Sequence, residues 1–156
     1  MARKNREVVA IAHNSKGYDS IFILREIMKN PSAWNPQIIA TGTKITSLAC
    51  NNNVRFIDSL NFLPVPLSAL PKTFNFEGSK GYFPHFFNTI ANQDYVGALP
   101  AIDFYGANEM SPKNRKEFMQ WYDAEIARDV IFDFKREIVT YCTQDVNILR
   151  RACIAF

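Results

Sequence analysis

The stretch Val8-Val9-Ala10-Ile11-Ala12-His13-Asn14-Ser15-Lys16-Gly17-Tyr18-Asp19-Ser20 decides how this chain is read. Its first five residues are a continuous apolar run that ends in a polar turn, the pattern of a buried strand. Beyond the turn a helix is predicted from Asp19 through about Lys29. Ile21, Phe22, Leu24, Arg25 and Met28 set its register, and Asn30-Pro31 stops it. Asp19 therefore stands at a strand-to-helix junction, where a side chain can point into a cleft. Its plain alternative is a helix N-cap, and Asn14 reads equally as a turn residue holding its own backbone.

Downstream, Gln37 to Ala49 and Val54 to Asp58 are expected as two strands joined by an Asn51-Asn52-Asn53 turn. Pro64 to Phe74 suggests a short, proline-bounded helix or turn. Residues 76–109 are aromatic, carry Gly and Pro, and show no clear period, so they are expected to form a long, partly ordered insertion of functional character. Ser111-Pro112 is an N-cap and first-turn pair opening a helix to about Arg128. Asp133 caps a last helix whose apolar stripe is expected at Ile138, Cys142, Val146, Leu149, Cys153 and Phe156.

Composition limits the classes open to the chain. Its 156 residues are long enough for one domain with a real core, and 47% hydrophobic content with thirteen Phe argues against disorder. A net charge of +3 permits nucleic-acid binding without demanding it. The basic groups Arg3-Lys4-Arg6, Lys113-Arg115-Lys116, Lys135-Arg136 and Arg150-Arg151 suit a DNA track or solvated helix faces equally well. Cys50, Cys142 and Cys153 make no CxxC and are read as reduced and structural, in an intracellular protein whose compartment (nucleus, mitochondrion or virus factory) is left open. Two histidines are too few for a Cys/His zinc site. No apolar stretch approaches a membrane span, so no membrane partner is expected.

Chemistry concentrates in two places. Tyr141 and Asp145 are four residues apart in the last helix, hence on one face about one turn separated. There a phenol can orient a water while a carboxylate holds a metal. Alone the spacing is weak, since Tyr-x-x-x-Asp arises by chance in roughly a third of chains of this composition. Asp19 is the matching acid at the other end. Phosphodiester cleavage by a two-metal nuclease sets several carboxylates around cations about 3.5–4 Å apart.

In order, HNSKGYDS (residues 13–20), IDSLNFLPVPLSALPKTF (57–74), KGYFPHFF (80–87) and YCTQDVNIL (141–149) resemble the exonuclease domain of protein-primed family-B DNA polymerases. Those enzymes copy linear plasmids, some viral genomes and Polinton-type transposons. The resemblance covers nearly the whole chain and rests on the collinear set of motifs. It implies an α/β, RNase H-like (DnaQ-type 3′–5′ exonuclease) domain with a mixed sheet flanked by helices. It also implies Mg²⁺ or Mn²⁺ on Asp19 and Asp145, with Tyr141 positioning the water. Asn14, Ser59 and Leu60 would contact single-stranded DNA, and Tyr18 would stack on a base or, equally, pack against the fold. In the complete polymerase a primer terminal protein is a further partner.

Such domains carry an Asp-x-Glu on an upstream strand, and the twelve residues before His13 hold none. Asp123-Ala-Glu125 matches the letters, but in a predicted helix its side chains diverge by about 200° and the motif order is wrong. The expectation is an N-terminally incomplete domain, a fragment, gene remnant or truncated gene product lacking palm and fingers. The Val8–Ala12 strand would then have an open edge. Weak or absent catalysis follows, with a catalytically inert single-strand-binding module or an unfolded remnant as the alternatives.

Overall fold

The strand expected at Val8–Ala12 forms over those residues and is called β1. The computed structural model describes residues 7–51, 53–78 and 80–156, so Arg3, Lys4, Arg6 and Asn52 lie outside the described residues. The chain divides into two compact units, Met1–Ala69 and Leu70–Phe156.

In the first unit β1 is followed by a helix α1 (Asp19–Ile27), a single turn α2 (Pro31–Trp34) and strands β2 (Gln37–Thr41), β3 (Lys44–Cys50) and β4 (Val54–Asp58). The sheet order is β1-β4-β3-β2. β1 runs parallel to β4, while β4–β3 and β3–β2 are antiparallel, so the sheet is mixed and the unit is α/β. Three details differ from the sequence reading. The expected strand 37–49 is a hairpin of its own, turning at Gly42, whose φ of 59° is the left-handed backbone that a two-residue hairpin places at its first central position.

Second, β1 is not buried. It is the edge strand, paired only with β4 among the described residues, and Val8 is 59% exposed. Third, α1 turns a different face inward. Ser20 and Ile27 are buried and Ile23 and Leu24 pack on Ile45, Leu48 and Cys50, whereas Ile21, Phe22 and Met28 face solvent. The helix is apolar on more than one side, so hydrophobicity alone does not choose its face.

In the second unit a short helix α3 (Leu70–Thr73) packs on the last helix, α5 (Phe134–Ala155). Between them lie a two-residue strand β5 (Val96–Gly97), α4 (Pro112–Ala127) and β6 (Phe132–Asp133), with β5 and β6 antiparallel. Both helix caps expected from the sequence form. Ser111 Oγ accepts from Asn114 N and Asp133 Oδ1 from Arg136 N. The aromatic segment 76–109 is a chain of short 3-10 turns that supplies core. Phe83 and Phe87 pack with Phe132 and Phe134, and Tyr82 and Tyr105 pack around the fully buried Phe118.

The apolar stripe expected on α5 is displaced. Cys142, Val146 and Phe156 are exposed, Val146 at 63%. The inward face instead carries Phe134, Ile148 and Ala152, with Ile138, Tyr141 and Asp145 partly buried on the same side. Cys142 is thus not a core residue, although all three cysteines are free thiols. Burial pushes the Cys50 and Cys153 thiols up, away from the reactive thiolate. No helix among the described residues is long and apolar enough to cross a membrane.

Candidate functional site

The residues singled out in the sequence fall into one constellation in each unit. In the first, parallel pairing brings Ala12 and Asp58 into register, so the loops leaving β1 and β4 start side by side. That is the carboxyl end of parallel strands, where α/β sheets place their sites. Asn14 adopts left-handed backbone (φ 61°, ψ 28°), followed by a 3-10 turn at Ser15–Gly17, and Tyr18 is the N-cap of α1. Asp19 is therefore the first helical residue and not the cap. No side-chain cap bond forms there, and its exposed carboxylate is left to favour the positive end of the helix dipole or to meet a ligand.

Asn14, Tyr18 and Asp19 are all exposed, Tyr18 at 67% with its ring edge-on to Phe22 at 4.7 Å. Ser59 is the opposite. It is fully buried, and its hydroxyl donates to the Ala12 carbonyl at 3.0 Å and lies 2.9 Å from His13 Nδ1. With the hydroxyl proton given to Ala12, Nδ1 must carry the imidazole hydrogen. The other ring nitrogen, Nε2, is buried without a hydrogen-bond partner among the described residues. Leu60 is half-buried, and its amide is bonded to Asp58. Asp58, to which the sequence reading gave no role beyond ending a strand, is itself buried and accepts three backbone amides.

In the second unit Tyr141 and Asp145 do share one face of α5, and it is the packed face. Tyr141 is held by Phe83 and His85, both 5.4 Å away between ring centroids. Lys80 Nζ sits 5.4 Å above the Tyr141 ring and 3.7 Å from Asp145 Oδ2. Asp145 Oδ1 is buried with no hydrogen-bond partner among the described residues. Burial raises the Tyr141 phenol pKa, Lys80 pulls it partly back, and Asp145 adds to the rise, so the hydroxyl keeps its proton at neutral pH. Burial works against the Lys80 ammonium, but Tyr141 and Asp145 outweigh it and its pKa ends raised. His85 is lowered, first by burial and then by the Lys80 charge.

Lys80 is the functional candidate that sequence reasoning passed over. Its signal was available, because it is the one formally charged residue between Glu77 and Asp94, at the head of an aromatic run. Asp123 and Glu125 lie in α4, where Glu125 is paired with Arg128 at 2.8 Å. Among the described residues no three His, Cys, Asp or Glu side chains stand together as a metal-binding group. The orphaned Oδ1 of Asp145 nevertheless suits a hard divalent cation, since Mg²⁺ takes one or two carboxylates and completes its shell with water and phosphate oxygens.

The chain resembles fungal proteins described as "Probable DNA polymerase". It is 30% identical to one from Ascobolus immersus over 144 residues, covering 85% of this chain and 12% of that protein. It is 29% identical to one from Neurospora intermedia over 168 residues, covering 100% of this chain and 17% of the relative. One from Podospora anserina is 33% identical over 97 residues, covering 62% and 7% respectively. The chain thus spans less than a fifth of the length of these relatives. No solved structure matches it. The family of DNA polymerase type B, organellar and viral, matches over residues 1–156, and the chain belongs to that family.

Proposed function

We propose that these residues form part of the 3′–5′ proofreading exonuclease of a protein-primed DNA polymerase, in an RNase H-like domain acting on single-stranded DNA ends during replication. The observation that carries this reading is the Tyr141–Asp145 pair on one helix face, with a buried carboxylate oxygen unpartnered among the described residues and a lysine ammonium beside it. A carboxylate oxygen left without a donor inside a fold costs about 1–3 kcal/mol, a cost that a ligand can remove. The family assignment and the relatives' names support the polymerase part of the reading.

Asp145 through Oδ1 and the exposed Asp19 are the proposed holders of Mg²⁺ or Mn²⁺. When bound, the ions supply activation of water and stabilisation of the leaving oxygen. Tyr141, protonated and wedged between Phe83 and His85, has its phenol fixed to orient a water. Lys80, half-exposed, offers its ammonium to a phosphate oxygen once Asp145 turns to a cation. Asn14 and Tyr18 are the accessible contacts for a single strand, Tyr18 by stacking on a base. The Leu60 amide shares Asp58 Oδ1 with the Asn14 amide, and Ser59 braces the loop through Ala12 O. In the complete polymerase the primer terminal protein is the further partner. Each unit offers a single proposed carboxylate to a divalent cation, so trimming by this chain alone is expected to be slow or absent.

A second reading, a catalytically inert single-strand-binding module, is favoured by the absence of a three-ligand group among the described residues and by the exposed Tyr18–Phe22 pair. Incubation of the chain with a 5′-labelled, 3′-mismatched single strand and Mg²⁺ or Mn²⁺, beside Asp145→Ala, separates the two. Metal-dependent shortening lost in the variant supports the exonuclease. Salt-sensitive binding that survives chelation, with no shortening, supports the binding module.

A further inference from the structure

We infer that Asp58 is a positioning residue for the single-strand contact, holding Asn14 in its left-handed conformation through the backbone; this rests on the reading of Asn14 as a DNA contact. Asp58 is 1% exposed, and among the described residues no lysine or arginine lies within ion-pair distance of it. Its charge is met by backbone alone. Oδ1 accepts from Asn14 N and Leu60 N, each at 2.9 Å, and Oδ2 accepts from Lys16 N at 3.0 Å.

The bond to Leu60 is local, the ordinary cap of a turn, and a neutral serine or asparagine could make it. The bonds to Asn14 and Lys16 cross more than forty residues of sequence, and they explain why a full carboxylate is buried here. Amides on both sides of Ser15 converge on one side chain, which fixes the peptide planes around Asn14. Asparagine adopts left-handed backbone more easily than other non-glycine residues, and the two long-range bonds fix it there. Held there, the Asn14 side chain lies over Gly17, where an added Cβ would stand 3.5 Å from both terminal atoms of the amide. Ser59 reinforces the same loop from the next position by bonding Ala12 O. The parallel register that pairs Ala12 with Asp58 makes this clamp possible, since an antiparallel neighbour would send its loop to the other end of the sheet.

The test uses the full chain and a fluorescein-labelled oligothymidylate without metal, comparing the parent, Asp58→Asn, Asn14→Gly and the double variant. Glycine keeps the left-handed backbone and removes only the side chain. Asparagine at 58 turns one acceptor into a donor that faces an amide N–H. Asp58→Asn is expected to bind at least fivefold more weakly, and the double variant no more weakly than Asn14→Gly alone. Equal affinity of folded Asp58→Asn and parent, or fully additive losses in the double variant, would overturn the inference. Amide hydrogen exchange of the parent supplies an arm independent of binding and of the variant's folding. Asn14 and Lys16 amides are expected to exchange at least a hundredfold slower than in an unstructured chain, and near-free exchange there means that Asp58 does not hold the turn. A parent that binds no single strand would sink the DNA reading, and with it the positioning role, even if those amides are protected.

Discussion

Asp58 and Asp145 are both carboxylates drawn into the protein, and they are treated in opposite ways. Asp58 has every oxygen occupied by backbone amides from three residues. Asp145 keeps one buried oxygen with no partner among the described residues and shares the other, at 3.7 Å, with a lysine. A carboxylate with amide donors on both oxygens is an internal strut, because a further ligand would compete with the backbone it already holds. An unsaturated one holds less of the fold together and has capacity for something else. Burial alone therefore does not sort structural acids from functional ones; the count of satisfied lone pairs does.

Removal of the two acids should expose the difference in stability. Asp58→Ala takes the acceptor from three part-buried amides, and a loss of about 3–5 kcal/mol is expected in urea unfolding. Asp145→Ala discards an oxygen that was already unpartnered, and Lys80, whose side chain is 37% exposed, can turn to water. Its expected cost is below about 1 kcal/mol. Comparable losses in both variants would erase the distinction.

The next effect is smaller and concerns the lysine. Lys80→Met removes the ammonium paired with Asp145 and leaves this partly buried carboxylate without it, at an expected cost of about 1–2 kcal/mol. Asp145→Asn in the same chain should recover most of it, because a neutral amide needs no counter-charge. A double-variant cycle gives the coupling directly, and additivity would mean that the 3.7 Å pair carries no weight.

How much of this was legible beforehand follows from what each signal depends on. β1, the β3–β4 hairpin, the Ser111 and Asp133 caps and the Tyr141–Asp145 face depend on neighbours within a few residues, and the sequence reading found them. The inward faces of α1 and α5 depend on which element packs against them. Both helices carry apolar residues on more than one side, so the register read from hydrophobicity put Val146 and Phe22 inside. The split of residues 37–49 was signalled by Gly42 and overlooked, since β-branched residues continue on both sides of it. Asp58 was invisible for another reason. Its meaning lies in amides brought from positions 14 and 16, and no local pattern records that. Lys80 stands out as a lone charge in an aromatic run, but Tyr141 and Asp145, which give it a role, come from the last helix. The segment 76–109 lacked a period because its aromatic residues answer to one another in three dimensions and not to a helix or strand repeat.

The smallest expected effect is a pH dependence, and it bears on the second unit alone. His85 packs against Phe83 and Tyr141, and burial followed by the Lys80 charge lowers its pKa, while Asp145 pulls weakly the other way. The folded chain therefore takes up this proton less readily than the unfolded chain. Stability from a neutral His85 is complete above the ordinary imidazole value of about 6.5 and drains away as pH falls from there through the lowered folded value. Lys80 gives the opposite sign at the other end of the scale. Its raised pKa contributes stability that is present below the ordinary lysine value and lost as pH climbs through the folded one. Urea midpoints at pH 7.5, 6.5 and 5.5 should fall in that order, and less steeply in His85→Gln. The same slope in parent and variant would assign the acid loss to other groups. A shallower slope in Asp145→Ala than in parent would reverse the sign given to Asp145, because removal of its charge should lower His85 further and steepen the loss.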